Sequence, residues 1–297
     1  MSNIATEQEV LTAQMYFRAA FPAMRIPLEE DPKQKKKFEK FNGIVQFTAD
    51  DDVNPIACYI VFRDEQKAAE SEDGKRFKVF QGKYEGNEKF IDMHFKSIKS
   101  LLGVFQGKKV TDMFGIVAPL LKNLFTRKGT LKFLFLMLTL TKTMPKFLPT
   151  TKQPLEQYLK VKMSLYLITT ALSTANKLGW PVMTKWTERQ TDRIYQFKVG
   201  PTLDEKGNEI HPPIAAYLRV KGGKTKAGRG EYTRKRPFVL FNFPNPDGCL
   251  AVLTKRYEFV DACVKGCVQV IGSGDSYAVQ FNDIMTKAQN MLIGVDD

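Results

Sequence analysis

Ile44–Phe47 reads IVQF, and a closely similar stretch, IYQF, occurs at Ile194–Phe197. Around the first stretch, Ile44–Thr48 alternates apolar and polar residues, which is typical of a strand with one buried face. A single tetrapeptide can recur by chance, so further matches in the same order are needed to indicate a repeat.

Further matches do follow in the same order along the two halves of the chain. They pair Pro55–Ile60 with Pro213–Leu218, Gly82–Tyr84 with Gly230–Tyr232, Phe90 with Phe238, Phe95 with Phe243, and Gly107 with Gly266. The spacing between partners changes only by amounts that a loop can absorb. The ordered set therefore predicts an internal duplication, in which Ile44, Ile56 and Phe90 match Ile194, Ile214 and Phe238.

Each predicted copy consists of short strands separated by glycine turns, together with helices. The predicted strands are Ile44–Thr48, Ile56–Phe62, Phe77–Phe80 and Phe90–Phe95, then Arg193–Val199, Ala215–Val220 and Phe238–Phe243. The predicted helices are Glu7–Phe21, Ser97–Phe105, Val117–Phe125, Leu131–Leu140, Leu155–Leu178, Tyr257–Val264 and Ser276–Leu292, with Ser97–Phe105 matched to Tyr257–Val264.

This order predicts an α+β fold of two tandem copies of a small, mostly antiparallel sheet covered by helices, with an apolar cavity. The first copy is expected at residues 1–150, with an N-terminal helix. The second is expected at residues 151–297, beginning with a linking helix.

Hydropathy and cysteine content indicate the cellular setting. The most apolar stretch, Phe133–Leu140, is much shorter than the roughly 20 residues that a transmembrane helix needs. Met1–Val10 lacks the basic and apolar regions of a secretory signal. The chain has 4 cysteines, too few for a disulfide scaffold. We therefore expect a cytoplasmic protein.

Positive charge is concentrated in one segment of a chain whose formal net charge is +13. Within Arg219–Arg236 the one acidic residue is Glu231, and Gly222 and Gly223 predict a turn. Such a segment attracts phosphate, anionic lipid headgroups or nucleic acid, although a solvated hairpin with flexible lysines has the same composition. We expect an exposed, mobile hairpin that contacts anionic surfaces through Arg219, Lys221, Arg234, Lys235 and Arg236.

Catalytic and metal-binding patterns are weak in this sequence. His94 and His211 are its 2 histidines, and neither has an evident metal-binding partner. Cys263 and Cys267 lack the CxxC spacing of structural zinc sites. No GxSxG motif occurs, and no P-loop lysine follows the turn at 272–275. We therefore expect no catalytic residue, no metal and no cofactor.

The order of helices, strands and glycine turns resembles the sterol carrier protein type two family. Phe41–Phe47 resembles the first strand of that family, and Asp73–Lys75 resembles its polar turn. Ser100–Lys108 resembles its helix with the Gly-Lys step that follows. In the second half, Gly266–Ser273 resembles the late strand and Phe281–Met285 the terminal helix. The resemblance implies binding of sterols, fatty acids or acyl thioesters in an apolar tunnel, without a cofactor.

A stretch as apolar as Phe133–Leu140 must be buried or must line a cavity. We therefore expect a cavity in the first copy, lined by some of Leu101, Leu102, Phe105, Val117, Leu121, Phe133, Leu136 and Leu140. The predicted function is lipid binding and transfer without catalysis. The expected partners are a hydrophobic small molecule and, transiently, an anionic membrane surface. Two alternatives stay open: an enzyme or enzyme accessory acting on a hydrophobic substrate, and a basic-surface interaction or nucleic-acid binding protein, of which nucleic acid is the less expected partner.

Overall fold

A computed structural model of the chain describes residues 3–108, 130–134, 136, 153–272 and 275–295. The chain forms two compact units, Met1–Thr141 and Lys142–Asp297, and both are α+β. The predicted boundary between residues 150 and 151 lies outside the described residues, so this assignment stays a prediction. Within the described ranges, no helix is long and apolar enough to cross a membrane.

The first unit opens with helices and continues into a sheet. Its helices are α1 (Glu7–Met15), α2 (Phe21–Ala23), α3 (Arg25–Glu30), α4 (Pro32–Phe38), α5 (Glu65–Ala69) and α6 (Ile98–Phe105), with a π-helical turn, Tyr16–Ala20, joining α1 to α2. Its strands are β1 (Gly43–Ala49), β2 (Ile56–Phe62), β3 (Phe77–Gln81) and β4 (Ile91–Phe95). Residues 130–134 and 136 are also helical. The predicted helix Val117–Phe125 lies outside the described residues.

The sheet of the first unit has the strand order β3-β2-β1-β4. β1 is antiparallel to β2 and parallel to β4. Phe47 lies at the centre of the buried face, with its ring centroid 4.8 Å from that of Phe21, 6.0 Å from Phe105 and 5.8 Å from Phe133. One strand residue thus joins three helical segments to the sheet.

The first described element of the second unit is a 24-residue helix, α7 (Pro154–Lys177). Its other helices are α8 (Pro181–Glu188), α9 (Pro246–Leu253), α10 (Phe259–Val264) and α11 (Asp275–Ile293). Its strands are β5 (Arg193–Val199), β6 (Thr202–Leu203), β7 (Glu209–His211), β8 (Ile214–Lys221), β9 (Lys224–Arg229), β10 (Val239–Phe243) and β11 (Gln269–Gly272).

The main sheet of the second unit has the order β11-β10-β5-β8-β9, and β6 and β7 form a separate small sheet. β5 is antiparallel to β8 and parallel to β10. Phe197 on β5 stacks on Phe241 of β10 at 5.0 Å, while Tyr195 stacks on Phe281 of α11 at 4.5 Å. The aromatic core therefore fixes the last helix against the two parallel strands.

The two sheets share their central pairing and register. Phe47 faces Cys58 and Met93 across its two neighbours, and Phe197 faces Ala216 and Phe241. As predicted, Ile44, Ile56 and Phe90 hold the same positions as Ile194, Ile214 and Phe238.

One predicted match is wrong. The segment Tyr257–Val264 is not the counterpart of Ser97–Phe105, because α9 directly follows β10 as α6 follows β4. The capping residues agree: the side chain of Ser97 accepts from the backbone of Ser100, and that of Asn245 accepts from Gly248. The counterpart of Gly107 is Lys255 rather than Gly266, and both Gly107 and Lys255 have left-handed backbones, with φ of 64° and 54°.

In each unit, a buried glutamine on the central strand, β1 or β5, is hydrogen-bonded to the segment that follows β3 or β9. The Gln46 side-chain oxygen accepts from the Tyr84 amide at 2.8 Å, and that of Gln196 accepts from the Tyr232 amide at 2.9 Å. Gln196 also donates to the carbonyl of Ala216 at 3.1 Å and is 2% exposed. A polar side chain this buried is held in place by its hydrogen bonds.

We expect Gln196→Leu to lower the free energy of unfolding by roughly 1–3 kcal/mol, because it leaves the Tyr232 amide without its hydrogen-bond acceptor. Urea denaturation measures the change. Gln280→Leu, at an exposed position of α11, is the control and is expected to change stability little. Equal stability of Gln196→Leu and the parent would contradict the role of this hydrogen bond.

Candidate functional site

An apolar cleft of about 660 Å³ lies in the second unit beside the edge strand β11. Its walls come from the end of β10, from α10, from β11 and from α11. The lining residues are Asn242, Pro244, Phe259, Val260, Cys263, Val264, Gly266, Val268, Gln269, Val270, Ala278 and Val279. None of these twelve residues carries a charge, so the cleft suits an apolar ligand.

The short helix α10 owes its orientation to two buried side chains. Phe259 packs edge-on against Phe241 at 5.9 Å, and Ala262 is fully buried. Gly266, with a φ of 69°, ends the helix in the left-handed conformation that glycine adopts without strain. The Cys267 amide then donates to the Ala262 carbonyl at 2.8 Å, which turns the chain into β11.

This orientation leaves apolar side chains at the surface. Val260 and Val264 are one helical turn apart, so they share a face of α10, and they are 63% and 84% exposed. Val279 on α11 is 38% exposed. Exposed valines that converge on one cleft favour an interaction with an apolar partner.

Two amide side chains are the polar groups among the lining residues, apart from the Cys263 thiol. Asn242 and Gln269 are direct partners in the antiparallel pairing of β10 with β11. Each amide offers both a donor and an acceptor. Successive side chains point to opposite faces of a strand, and the neighbouring pair Phe241 and Val270 faces α10 and α11. The two amides therefore lie at the margin of the cleft, where they suit a carboxyl, hydroxyl or carbonyl group.

The sequence placed the cavity in the first unit instead. Of the predicted lining residues, Leu101, Leu102, Phe105, Phe133 and Leu136 are buried, while Val117, Leu121 and Leu140 lie outside the described residues. The buried members pack in the core of their unit. Their contact with a ligand stays a prediction.

A second hollow, of about 750 Å³, opens in the first unit near α4. Its rim mixes lysine and glutamate residues over buried phenylalanines. Arg76 in this hollow donates to the carbonyls of Phe38 and Glu39 at 3.2 and 2.9 Å, and Arg63 is paired with Asp73 at 3.2 Å. Both arginines thus serve the local fold.

The first part of the predicted basic segment forms a regular hairpin of β8 and β9, whereas residues 230–236 follow the hairpin and form no strand. Its turn has left-handed Gly222 and Gly223, with φ of 55° and 73°. Arg219 donates from Nε and Nη2 to the two carboxylate oxygens of Asp192, each at 2.9 Å. The Lys235 ammonium donates to the Asp192 carbonyl at 2.6 Å.

The other predicted contacts, Lys221, Arg234 and Arg236, are exposed. Contact of these five basic residues with an anionic surface stays a prediction, as does mobility of the hairpin. In the structure, Asp192 orients Arg219. The sequence did not reveal this contact, because Asp192 lies outside the basic segment.

Both histidines contact neighbouring side chains, and Cys58 and Cys249 are buried. The His94 ring lies 3.0 Å from the Thr48 hydroxyl and 3.1 Å from Asp50, and the His211 ring stacks on Tyr158 at 4.9 Å. Burial raises the pKa of the Cys58 and Cys249 thiols, which makes them poor nucleophiles. Among the described residues, no cluster of three or more His, Cys, Asp or Glu side chains is placed to hold a metal.

No protein-family model matches this chain, and no curated protein matches it. Among solved structures, it is similar to the sterol carrier protein domain 2 of Helicoverpa armigera, with 17% identity and a TM-score of 0.31, over 43% of this chain and 89% of that one. It is also similar to a Thermus thermophilus protein described as possibly sterol carrier protein, with 15% identity and a TM-score of 0.30, over 44% of this chain and 87% of that one. At this level of similarity, neither structure identifies a function for the chain.

We expect the ion pair between Asp192 and Arg219 to weaken at acidic pH. The hydrogen bond from Arg219 is the main reason that the pKa of Asp192 lies below its ordinary value of 3.8. A carboxyl whose pKa is lower in the folded state adds stability above its unfolded pKa, and this contribution disappears as the pH falls through the folded value.

Carboxyl carbon NMR titration measures the Asp192 midpoint directly. We expect it below 3.8 in the parent and shifted upward in Arg219→Gln. Lys221→Gln is the matched control, because this residue acts on Asp192 through charge alone, and it should shift the midpoint less. The same midpoint in Arg219→Gln and the parent would show that the ion pair is absent in solution.

Proposed function

We propose that the second unit binds and transfers a lipid, such as a sterol, a fatty acid or an acyl thioester, in the cleft formed by α10, β11 and α11, without catalysis. The observation that carries this proposal is the set of exposed valines around an uncharged cleft. In the absence of a ligand these side chains are in contact with water, and a bound hydrocarbon would cover them.

The size and energetics of the cleft support this ligand class. Its volume of about 660 Å³ lies in the range of roughly 300–1,000 Å³ that small-molecule sites occupy. Each buried methylene contributes about 0.8 kcal/mol. A sixteen-carbon chain would therefore contribute on the order of 10 kcal/mol before the entropy lost on binding.

The polar end of the ligand has a place beside Asn242 and Gln269. Their amide groups would donate to a carboxylate or thioester oxygen and accept from a sterol hydroxyl. Because a buried polar headgroup without partners would be costly, these two residues would also fix the direction in which the chain enters.

We also propose that the two units are tandem copies of one sterol-carrier-like unit. The shared strand order, the equal register around Phe47 and Phe197, and the glutamine hydrogen bond present in both sheets support this. In the first unit, residues 109–129, which follow Gly107 as α10 follows Lys255, lie outside the described residues.

Native mass spectrometry of the full chain tests whether a lipid is bound. We expect added mass from a fatty acid, a sterol or an acyl thioester that is released by organic solvent. Turnover of a lipid ester or thioester by the purified chain would instead favour the enzyme alternative.

We expect Val264→Asp and Val260→Asp each to weaken binding of a fluorescent sixteen-carbon fatty acid by roughly tenfold, since a charge on the wall must be desolvated when the chain enters. Both positions are exposed, so the substitutions should leave the fold intact, which thermal unfolding checks.

Leu203→Asp is the matched control. Leu203 is 53% exposed on β6 of the same unit and is absent from the cleft lining. Its affinity for the fatty acid should equal that of the parent. Unchanged binding in both valine variants would place the ligand elsewhere and reject the proposal.

A further inference from the structure

A small polar hollow of about 180 Å³ lies on the half-exposed face of the second sheet, at the β8–β9 edge. It is lined by Tyr217, Arg219, Lys226, Glu231, Tyr232, Thr233 and Arg234. This group contains three cations, two phenols and one threonine hydroxyl, against a single carboxylate.

The hollow exists because the second sheet has a glycine at a position where the first sheet has an aromatic side chain. In the first sheet, Tyr59 pairs with Phe80 across the strands, and their rings stack at 4.8 Å with an angle of 10°. At the same place in the second sheet, Tyr217 pairs with Gly228. A Cβ atom on Gly228 would overlap the Tyr217 ring, so the tyrosine lies directly over the glycine backbone and leaves the space beside it open.

The aromatic wall is otherwise the same in the two sheets. Tyr59 meets Tyr84 at 5.4 Å and 64°, and Tyr217 meets Tyr232 at 5.1 Å and 71°. The charges differ, because Val61 pairs with Lys78 in the first sheet, whereas Arg219 pairs with Lys226 in the second. The cationic hollow is thus a feature of the second unit, added to a frame that both sheets have.

The ion pairs around the hollow leave its positive charge in excess. The Glu231 carboxylate is paired with the Lys198 ammonium at 2.9 Å. Asp192 binds Nε and Nη2 of Arg219, which holds this guanidinium in one orientation while Nη1 makes no hydrogen bond within the described residues. Neither Lys226 nor Arg234 forms an ion pair with a carboxylate in the described part of the chain.

We propose that this hollow binds a phosphoryl group. Arginine and lysine around a phosphate form short, charge-assisted hydrogen bonds, and the hydroxyls of Thr233, Tyr217 and Tyr232 supply further donors. The hollow, of about 180 Å³, is small and open to solvent, so it would hold the phosphoryl group while the rest of the ligand lies outside. The site is independent of the apolar cleft and of the lipid proposed to occupy it.

Titration of the ¹⁵N-labelled full chain with inorganic phosphate, at constant ionic strength, tests this proposal. We expect saturable shifts of the Gly228, Tyr232 and Arg234 amides. The double variant Lys226→Ser/Arg234→Ser should weaken binding by at least about tenfold, because two charge-assisted contacts are removed. The double variant Lys224→Ser/Arg236→Ser removes the same charge from exposed positions outside the hollow and should stay within about twofold of the parent.

Vesicles of phosphatidylcholine with added phosphatidic acid distinguish the two sources of such a group. Vesicle binding that is lost in the Lys226/Arg234 variant and competed by phosphate identifies a lipid headgroup. Vesicle binding that is equal in parent and variant, with phosphate binding lost, identifies a soluble phosphate ester. Phosphate binding that fails to saturate in the parent, or that falls equally in both double variants, would overturn the proposal, since the segment would then act only as diffuse positive charge.

Discussion

The second unit depends on the pairing of β5 with a neighbour on each side. Its parallel partner β10 leads into α9, α10 and β11, which build the apolar cleft, and its antiparallel partner β8 leads into the hairpin that carries the cationic hollow. Because the register of β5 is fixed on both sides by a buried face with Phe197 at its centre, the two sites are held at opposite edges of one sheet. A slip of one residue would turn the core residues of this strand outward and disrupt both sites.

The two sheets share a strand arrangement but differ in the side chains on one face. β1 and β5 keep a buried phenylalanine on one face and a buried glutamine on the other, in the same register, and these residues are needed to close the core and to satisfy backbone groups. The neighbouring positions on the glutamine face are half-exposed and are under no such constraint. There, Phe80 is replaced by Gly228 and Val61 by Arg219, so a stacked aromatic surface becomes a hollow with positive charge.

The strands and the α+β class were predictable because apolar alternation and glycine turns are local signals. Strands such as Ile56–Phe62 and Arg193–Val199 are confirmed at both ends. The sequence does not predict α9, because its left-handed end is Lys255 rather than glycine, and the pattern of glycines pairs Gly107 with Gly266 instead. The cleft was missed because its exposed valines are divided between α10 and α11, and only the tertiary structure brings them together. Asp192, which orients Arg219, is equally remote in sequence.

The proposed lipid site would hold an apolar chain between α10, β11 and α11. A fatty acid with a nitroxide label near its methyl end, added to the ¹⁵N-labelled full chain, broadens the amide signals of residues close to the bound chain. We expect selective broadening at Val260, Val264, Val270 and Val279, reversed when the nitroxide is reduced. Binding that broadens other regions and leaves these four amides unchanged would contradict it.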